Sequence, residues 1–469
     1  RMLPLEADAP RPANDHDHFI CINSPYRERL PEFCREIVRD LGFDGIWFDG
    51  SAFAIGNSLA GCGCEFCRRR FQDDTGRPLP RRVDWDSHDF KIWVNWRYDR
   101  LMGFWKLLAE AILAVAPQAT VAFNNYRRRG QPEGGGWNTG IPLRTLGWDV
   151  LFSGELDLHA LQGDFQMKMH RAAGCRRGQD TWLALCDHWN MWTPDVELTP
   201  IRQAAAGCAA AGGVLWMGCG FEPRLNPAVC ATAQQTTAPL MPYLADAPLP
   251  YAAIWVSQQT QDFYGRMSPL DSWNSWHGAN ELCLHAHVPS AVVFDDQIGV
   301  PELLRRYPVL LAGNTACVSA EQAAHLRGYV EAGGVLIAAH EFGTRDEWGN
   351  PHPRPLLDDV LGIGGRSPGL GTATLELAAP DLIEACGRWV STAGVPHTLA
   401  VPGADVDLLA RVVDHGQEAW DDVEKQGLAK ARHSGLWIRR YGRGQGVYVG
   451  TDLFRSHIIA PTTFQVRLF

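Results

Sequence analysis

Short apolar runs that end in polar residues or glycine recur through the first half of the chain. Between them lie segments whose apolar residues fall three and four positions apart. The runs Gly45–Asp49, Thr120–Asn124, Asp149–Gly154, Trp182–Asp187 and Val214–Gly218 predict strands. Phe90, Trp93, Val94, Leu101, Trp105, Leu108, Ile112 and Val115 share one face of a helix. Residues 26–41 and 200–212 carry the same period, the second ended by Gly212-Gly213. Strands alternating with helices imply a parallel sheet covered by helices. The polar strand ends resemble the mouth of a barrel, yet five strands fall about three βα units short of eight. Residues 1–245 therefore read as a partial (β/α)8-type barrel that begins inside its fold, the alternative being an open sheet.

A break comes at Leu244-Ala-Asp-Ala-Pro-Leu-Pro250. After it the rhythm restarts with Ala252–Ser257, a helix over 274–287, Ser290–Phe294, Val309–Gly313, a helix over 320–332, and Gly333–Ala339. Residues 251–370 thus predict a doubly wound α/β domain. Residues 371–469 are mixed in pattern and close with alternating segments at Gly435–Tyr441 and Gly446–Val449, a small β-rich module.

The chain has 469 residues, 46% hydrophobic and 20% charged, the balance of an ordinary globular protein. Its net charge of −10, with no long Lys/Arg cluster, argues against nucleic acid and anionic membrane as partners. The longest apolar stretch, near Gly213–Phe221, is too short to span a bilayer. No apolar signal region follows the opening Arg-Met-Leu-Pro-Leu-Glu, so a cytoplasmic protein is expected. The 18 tryptophans, many near predicted strand ends, suit either sugar platforms or a large core.

Three predicted strands deliver a carboxylate to their C-terminal ends: Asp49 before Gly50, Glu155 after Gly154, and Asp187 before His188 and Trp189. In a parallel barrel that end faces the active site. Glycoside cleavage needs two carboxyl groups across the scissile bond, one protonated and one ionised. The competing role of Asp49 is to cap the turn that follows it. Asn124, Asn125, His159, His188, Trp189 and Trp47 are candidates to line a sugar site.

Of the 13 cysteines most sit singly in apolar segments, where they act as small hydrophobes. Cys62-Gly-Cys64-Glu-Phe-Cys67 differs, because three thiols within six residues can converge on one ion. Tetrahedral zinc wants a fourth ligand, for which Cys21 and Cys34 are the nearby options. The alternative is three reduced, unligated thiols. Four thiolates leave no open coordination position, so the zinc expected here is structural, and no organic cofactor is expected.

Cys21-Ile-Asn-Ser-Pro-Tyr-Arg27, the following helix, the Gly45–Asp49 strand and the Cys-x-Cys-x-x-Cys segment before Phe71 resemble glycoside hydrolase family 42 β-galactosidases. They are still more similar to the relatives called hypothetical glycosyl hydrolase 6. Ser257-Gln-Gln-Thr260, Asp262-Phe-Tyr-Gly-Arg266 and Gly328-Tyr-Val-Glu-Ala-Gly-Gly334 resemble the β-galactosidase trimerisation domain over residues 251–364, which has a class I amidotransferase-like fold. The resemblance implies Cys21 as fourth zinc ligand, a carbohydrate substrate, a homo-oligomer such as a trimer, and three barrel strands ahead of Cys21. It departs from family 42 at the acid/base position, where Trp47-Phe48-Asp49-Gly50 instead resembles the nucleophile strand of α-L-fucosidases. On that reading Asp49 is nucleophile and Glu155 acid/base of a retaining hydrolase acting on a terminal galactoside or fucoside; Asp187 is nearest the family 42 nucleophile position.

The absent Asn-Glu pair keeps a non-catalytic carbohydrate-binding or scaffolding relative open as the alternative. Glutaminase chemistry is not expected, because Cys317 lacks the glycine pair of a nucleophile elbow.

Overall fold

The computed structural model describes residues 20–48, 62–124, 141–144, 151–156, 160–173, 183–186, 198–210, 214–216, 227–243, 249, 251–266, 269–369, 373–414 and 432–468. The chain divides into two compact units, residues 1–248 with 266–269 and residues 249–265 with 270–469.

In the first unit, strands β1 (Gly45–Phe48), β2 (Thr120–Asn124), β3 (Leu151–Leu156), β4 (Leu183–Cys186) and β5 (Val214–Trp216) lie side by side in sequence order, every pair parallel. All five predicted strands form, each within a few residues of its expected bounds. Consecutive parallel neighbours are the order in which barrel strands follow one another, since the winding never reverses.

Helix α1 (Tyr26–Arg39) opens with Glu28 in its first turn and ends on Arg39, matching charge to the helix dipole. It packs on α3 (His88–Val115), which starts where the Ser87 hydroxyl accepts from the Phe90 amide. The predicted stripe of α3 is buried except at its last member: Phe90, Trp93, Val94, Leu101, Trp105, Leu108 and Ile112 are inaccessible, and Val115 is half-buried. Trp105 stacks on Phe123 of β2, which stacks in turn on its register partner Phe48 of β1. These rings fix the sheet against α3. Between α1 and α3 runs α2 (Glu65–Thr75), closed by Gly76 in the left-handed region.

Among its described residues the second unit is built on one sheet of eleven strands. Its parallel half contains β6 (Ala252–Val256), β7 (Ser290–Phe294), β8 (Val309–Gly313) and β9 (Val335–Ala339) in the spatial order β9-β8-β6-β7. The chain runs from β6 outward to β7, then returns to the other side of β6, which is the reversal of a doubly wound sheet. The antiparallel half holds β10 (Ile363–Pro368), β11 (Ala373–Leu377), β12 (Trp389–Ser391), β13 (Thr398–Pro402), β14 (Val406–Asp414), β15 (Arg432–Tyr441) and β16 (Gly444–Val449). The β15–β16 hairpin forms as the alternating pattern predicts. β16 then pairs in parallel with β9 along Gln445↔Val335 to Val449↔Ala339, so the closing hairpin belongs to the same sheet as the doubly wound strands. Ala253, Trp255, Leu310, Leu336, Trp437 and Tyr448 share one buried core across that seam. No helix among the described residues is long and apolar enough to cross a membrane.

Candidate functional site

Cys21, Cys62, Cys64 and Cys67 are brought together in the first unit, their sulfur atoms all within 4.8 Å of one another and all four buried. Cys21 sits in the turn before α1, Cys62 and Cys64 lead into α2 with Cys64 as its N-cap, and Cys67 lies in its first turn. The Cys21–Cys67 and Cys21–Cys64 sulfur separations are 3.4 and 3.5 Å. Those distances are far beyond the roughly 2.05 Å of a disulfide. They come near the edge, about 3.8 Å, of a tetrahedron built from zinc–sulfur bonds of about 2.3 Å.

The neighbours complete the fit. The Asn23 backbone N–H donates to Cys21 Sγ at 3.4 Å, and its side-chain Nδ2 donates to Cys67 Sγ at 3.3 Å. Arg100 Nε holds the Asn23 carbonyl oxygen at 3.0 Å, fixing the amide's orientation. Donors aimed at sulfur stabilise thiolates and orient them, as outer-shell partners of metal ligands do. Hydrogen bonding with Cys21, Cys62 and Cys67 holds the Cys64 thiol far below the ordinary thiol range, whereas Cys67 is pushed well above it, chiefly by Cys21. Packed together without a cation, the four sulfurs compete for protons; a divalent ion would relieve that competition. Cys34, the other option for a fourth ligand, is buried in α1 outside the cluster, and burial pushes its thiol up to about 11.

Sequence reading did not single out Asn23 or Arg100. Asn23 carried a faint signal as a polar residue two positions after a cysteine, ahead of Ser24-Pro25. Arg100 carried none, because its register on α3 becomes meaningful only once α3 lies beside the turn before α1.

Asp49 and Asp187 immediately follow the last residues of β1 and β4 in the sequence but lie outside the described residues, as do Asn125, His159, His188 and Trp189. Glu155 is the penultimate residue of β3, paired in register with Leu185, and Asn124 ends β2 opposite Ser153; their backbones, not their side chains, are described. Trp47 is exposed on β1, in register with Ala122.

In the second unit the place to look for a ligand is the crevice at the carboxyl ends of β6 and β8, where the winding reverses. The chain's own side chains occupy it. Gln259 donates through Nε2 to the Cys317 carbonyl at 2.9 Å and to Gln322 Oε1 at 2.6 Å, and the Thr260 hydroxyl accepts from the Cys317 amide. Asp295 accepts from Trp255 Nε1 at 2.8 Å and from the Gln259 amide at 3.1 Å. Burial lifts its carboxyl to about 6. Cys317 is wholly buried and burial pushes its thiol far up, the setting of an inert cysteine and not of a nucleophile.

No protein-family model matches the chain, and no curated protein matches it in sequence. Solved structures do match its fold. A catalytic mutant of Gan42B, a GH42 β-galactosidase from G. stearothermophilus, aligns with 97% of this chain and 73% of its own at a TM-score of 0.65 and 14% identity. The polyextremophilic β-galactosidase from the Antarctic haloarchaeon Halorubrum lacusprofundi aligns with 95% of this chain and 75% of its own, with a TM-score of 0.66 and 14% identity. α-L-Fucosidase isoenzyme 2 from Paenibacillus thiaminolyticus covers 96% of this chain and 64% of its own at 0.58 and 16%. The chain is therefore folded like glycoside hydrolases, and at these identities the likeness is one of fold.

Proposed function

We propose that this chain is a glycoside hydrolase that releases a terminal sugar of the galactoside or fucoside class by a two-carboxylate, retaining mechanism. The observation that carries this reading is the likeness in fold to β-galactosidases and a fucosidase over nearly the whole chain. The parallel sheet supports it, because in the sequence Asp49 and Asp187 directly follow the last residues of β1 and β4 and Glu155 is the penultimate residue of β3, and the carboxyl ends of the strands are the catalytic end of an α/β barrel. In this reading β1–β5 are barrel strands, Asp49 attacks the anomeric carbon, Glu155 protonates the leaving oxygen and then activates water, and Asp187 is the alternative partner. Trp47, Asn124, Asn125, His159, His188 and Trp189 line the sugar. The second unit serves in assembly as a homo-oligomer, a trimer being the form its motifs suggest. Zinc is held by Cys21, Cys62, Cys64 and Cys67 as a structural ion that ties the turn before α1 to α2; with four thiolates it offers no position for substrate.

Hydrolysis of aryl galactosides and fucosides by the protein, compared with its Asp49→Asn and Glu155→Gln forms, tests the reading. Activity should fall by about three orders of magnitude or more in both, with azide restoring the Glu155 variant. Full activity in Asp49→Asn would remove Asp49 from the chemistry. Sugar binding by calorimetry without any turnover would make the chain a carbohydrate-binding relative instead.

A further inference from the structure

Beside the cysteine cluster, with Asn23 touching both, residues of α1, α2 and α3 and of the turn before α1 enclose an open cleft of about 610 Å³. Four arginines line it, Arg27, Arg35, Arg70 and Arg100, against two carboxylates, Glu28 and Glu32. Glu32 is occupied by Arg35 at 2.5 Å. Asp74 faces Arg70 at 3.1 Å and stands 3.9 Å from Arg100, while also accepting from Trp96 Nε1. That leaves Arg27 without a carboxylate partner among the described residues.

The setting of Arg27 is unusual for a guanidinium. Its Nη2 donates to the Gly103 carbonyl at 3.2 Å and its plane lies over the Phe104 ring, while Nη1 is buried and meets no acceptor among the described residues. Burial, then the positive charges of Arg100 and Arg70, lower its proton affinity to about 10. A guanidinium that lines the cleft beside two like charges is a destabilising arrangement that an anion in the cleft would offset. The excess of positive charge is local, since the chain as a whole carries −10.

We propose that this cleft binds a tetrahedral oxyanion, a phosphate or sulfate group, between Arg27, Arg70 and Arg100. A carboxylate presents two oxygens in one plane and is satisfied by a single guanidinium fork. Three arginines on three helices suit a group whose oxygens point in several directions. Phe66, 45% exposed on the cleft wall, offers an apolar face to whatever carries the group. The same chemistry is met by the free ion and by a phosphorylated or sulfated sugar. The inference does not rest on the strand-end carboxylates and stands whether or not the chain is a hydrolase.

Titration calorimetry of the full chain with sodium phosphate and with sodium sulfate, at ionic strength held constant with sodium chloride, tests it. Saturable one-to-one binding in the millimolar range or tighter is expected. It should weaken at least about tenfold in Arg70→Gln, a change on the exposed face of α2 that leaves the fold intact, and in Arg27→Lys, which keeps the charge but loses the fork. A hexose phosphate binding more tightly than inorganic phosphate would assign the site to a sugar-borne group; equal affinities would assign it to the free ion. Absence of saturable binding, or binding unchanged in both variants, overturns the proposal.

Discussion

The side-chain amide of Asn23 reaches the sulfur of Cys67 at 3.3 Å, joining the turn before α1 to the first turn of α2 across 44 positions of chain. It cannot swing away, because Arg100 holds its other end. The thiolate field of the cysteine cluster is therefore set partly by a residue that ligates nothing.

Replacing Asn23 with Ala should lower zinc affinity by about 10- to 100-fold, the usual cost of deleting an outer-shell donor to a metal ligand. Competition against a chromophoric chelator measures it. An unchanged affinity would show that the Asn23–Cys67 contact is incidental.

Elemental analysis of the purified protein should find one zinc per chain, and Cys67→Ser should lose it. Because the four ligands come from two separate segments, metal loss should also lower the melting temperature of the first unit. A protein that carries no stoichiometric metal yet melts unchanged in chelator would leave the four cysteines as packed, unligated thiols.

Asp452 caps the helix that follows it, accepting from the Arg455 amide and from Ser275 Oγ at 2.9 Å, and burial lifts its carboxyl from the ordinary 3.8 to about 6. A carboxyl whose folded value is raised binds its proton more readily in the native state. Its contribution is present in full below about 3.8 and is lost as pH rises through about 6. The loss amounts to about 3 kcal/mol. Asn caps helices about as well as Asp but does not ionise. Urea unfolding should thus show the stability of Asp452→Asn relative to the parent improving by about that amount between pH 4 and pH 7. A difference that stays flat with pH would mean that Asp452 titrates normally.

Gly278 lies on the helix Pro269–His285 where a β-carbon would stand 1.8 Å from the Phe454 carbonyl oxygen. Gly278→Ala must push two backbones apart, so a loss of about 3 kcal/mol or more is expected despite the better helix propensity of alanine. A denaturation midpoint equal to the parent's would show that the two segments are not seated so closely.

How much of this was legible depends on what each element is held by. β1 to β5 read clearly because each is an apolar run between turn residues, and α3 because its stripe repeats over 28 residues. β14 did not read as a strand: its pairing with β15 shifts between Leu408 and Arg411, and such an irregularity breaks the two-residue alternation. β10 reads Ile-Gly-Gly-Arg-Ser-Pro, poor strand material held by pairing with β13. α2 has few apolar residues, Phe66, Cys67 and Phe71 among eleven, and it is anchored at its start by the cysteine cluster. Within that cluster, Cys62, Cys64 and Cys67 declared themselves by spacing. Choosing Cys21 over Cys34 needed the resemblance, because spacing cannot tell which distant thiol the fold will return.

The parallel seam between β16 and β9 also sets an order of events for the nascent chain. Val335–Ala339 is complete about a hundred residues before its neighbour leaves the ribosome, a long loop to close and a slow kind of pairing. Until then the apolar run Val-Leu-Ile-Ala-Ala presents one bare edge, the kind of edge that recruits other strands. Synthesis interrupted before Gly444 would therefore leave a sticky intermediate in place of a shortened domain, and during production this unit should depend on chaperones more than its final stability suggests.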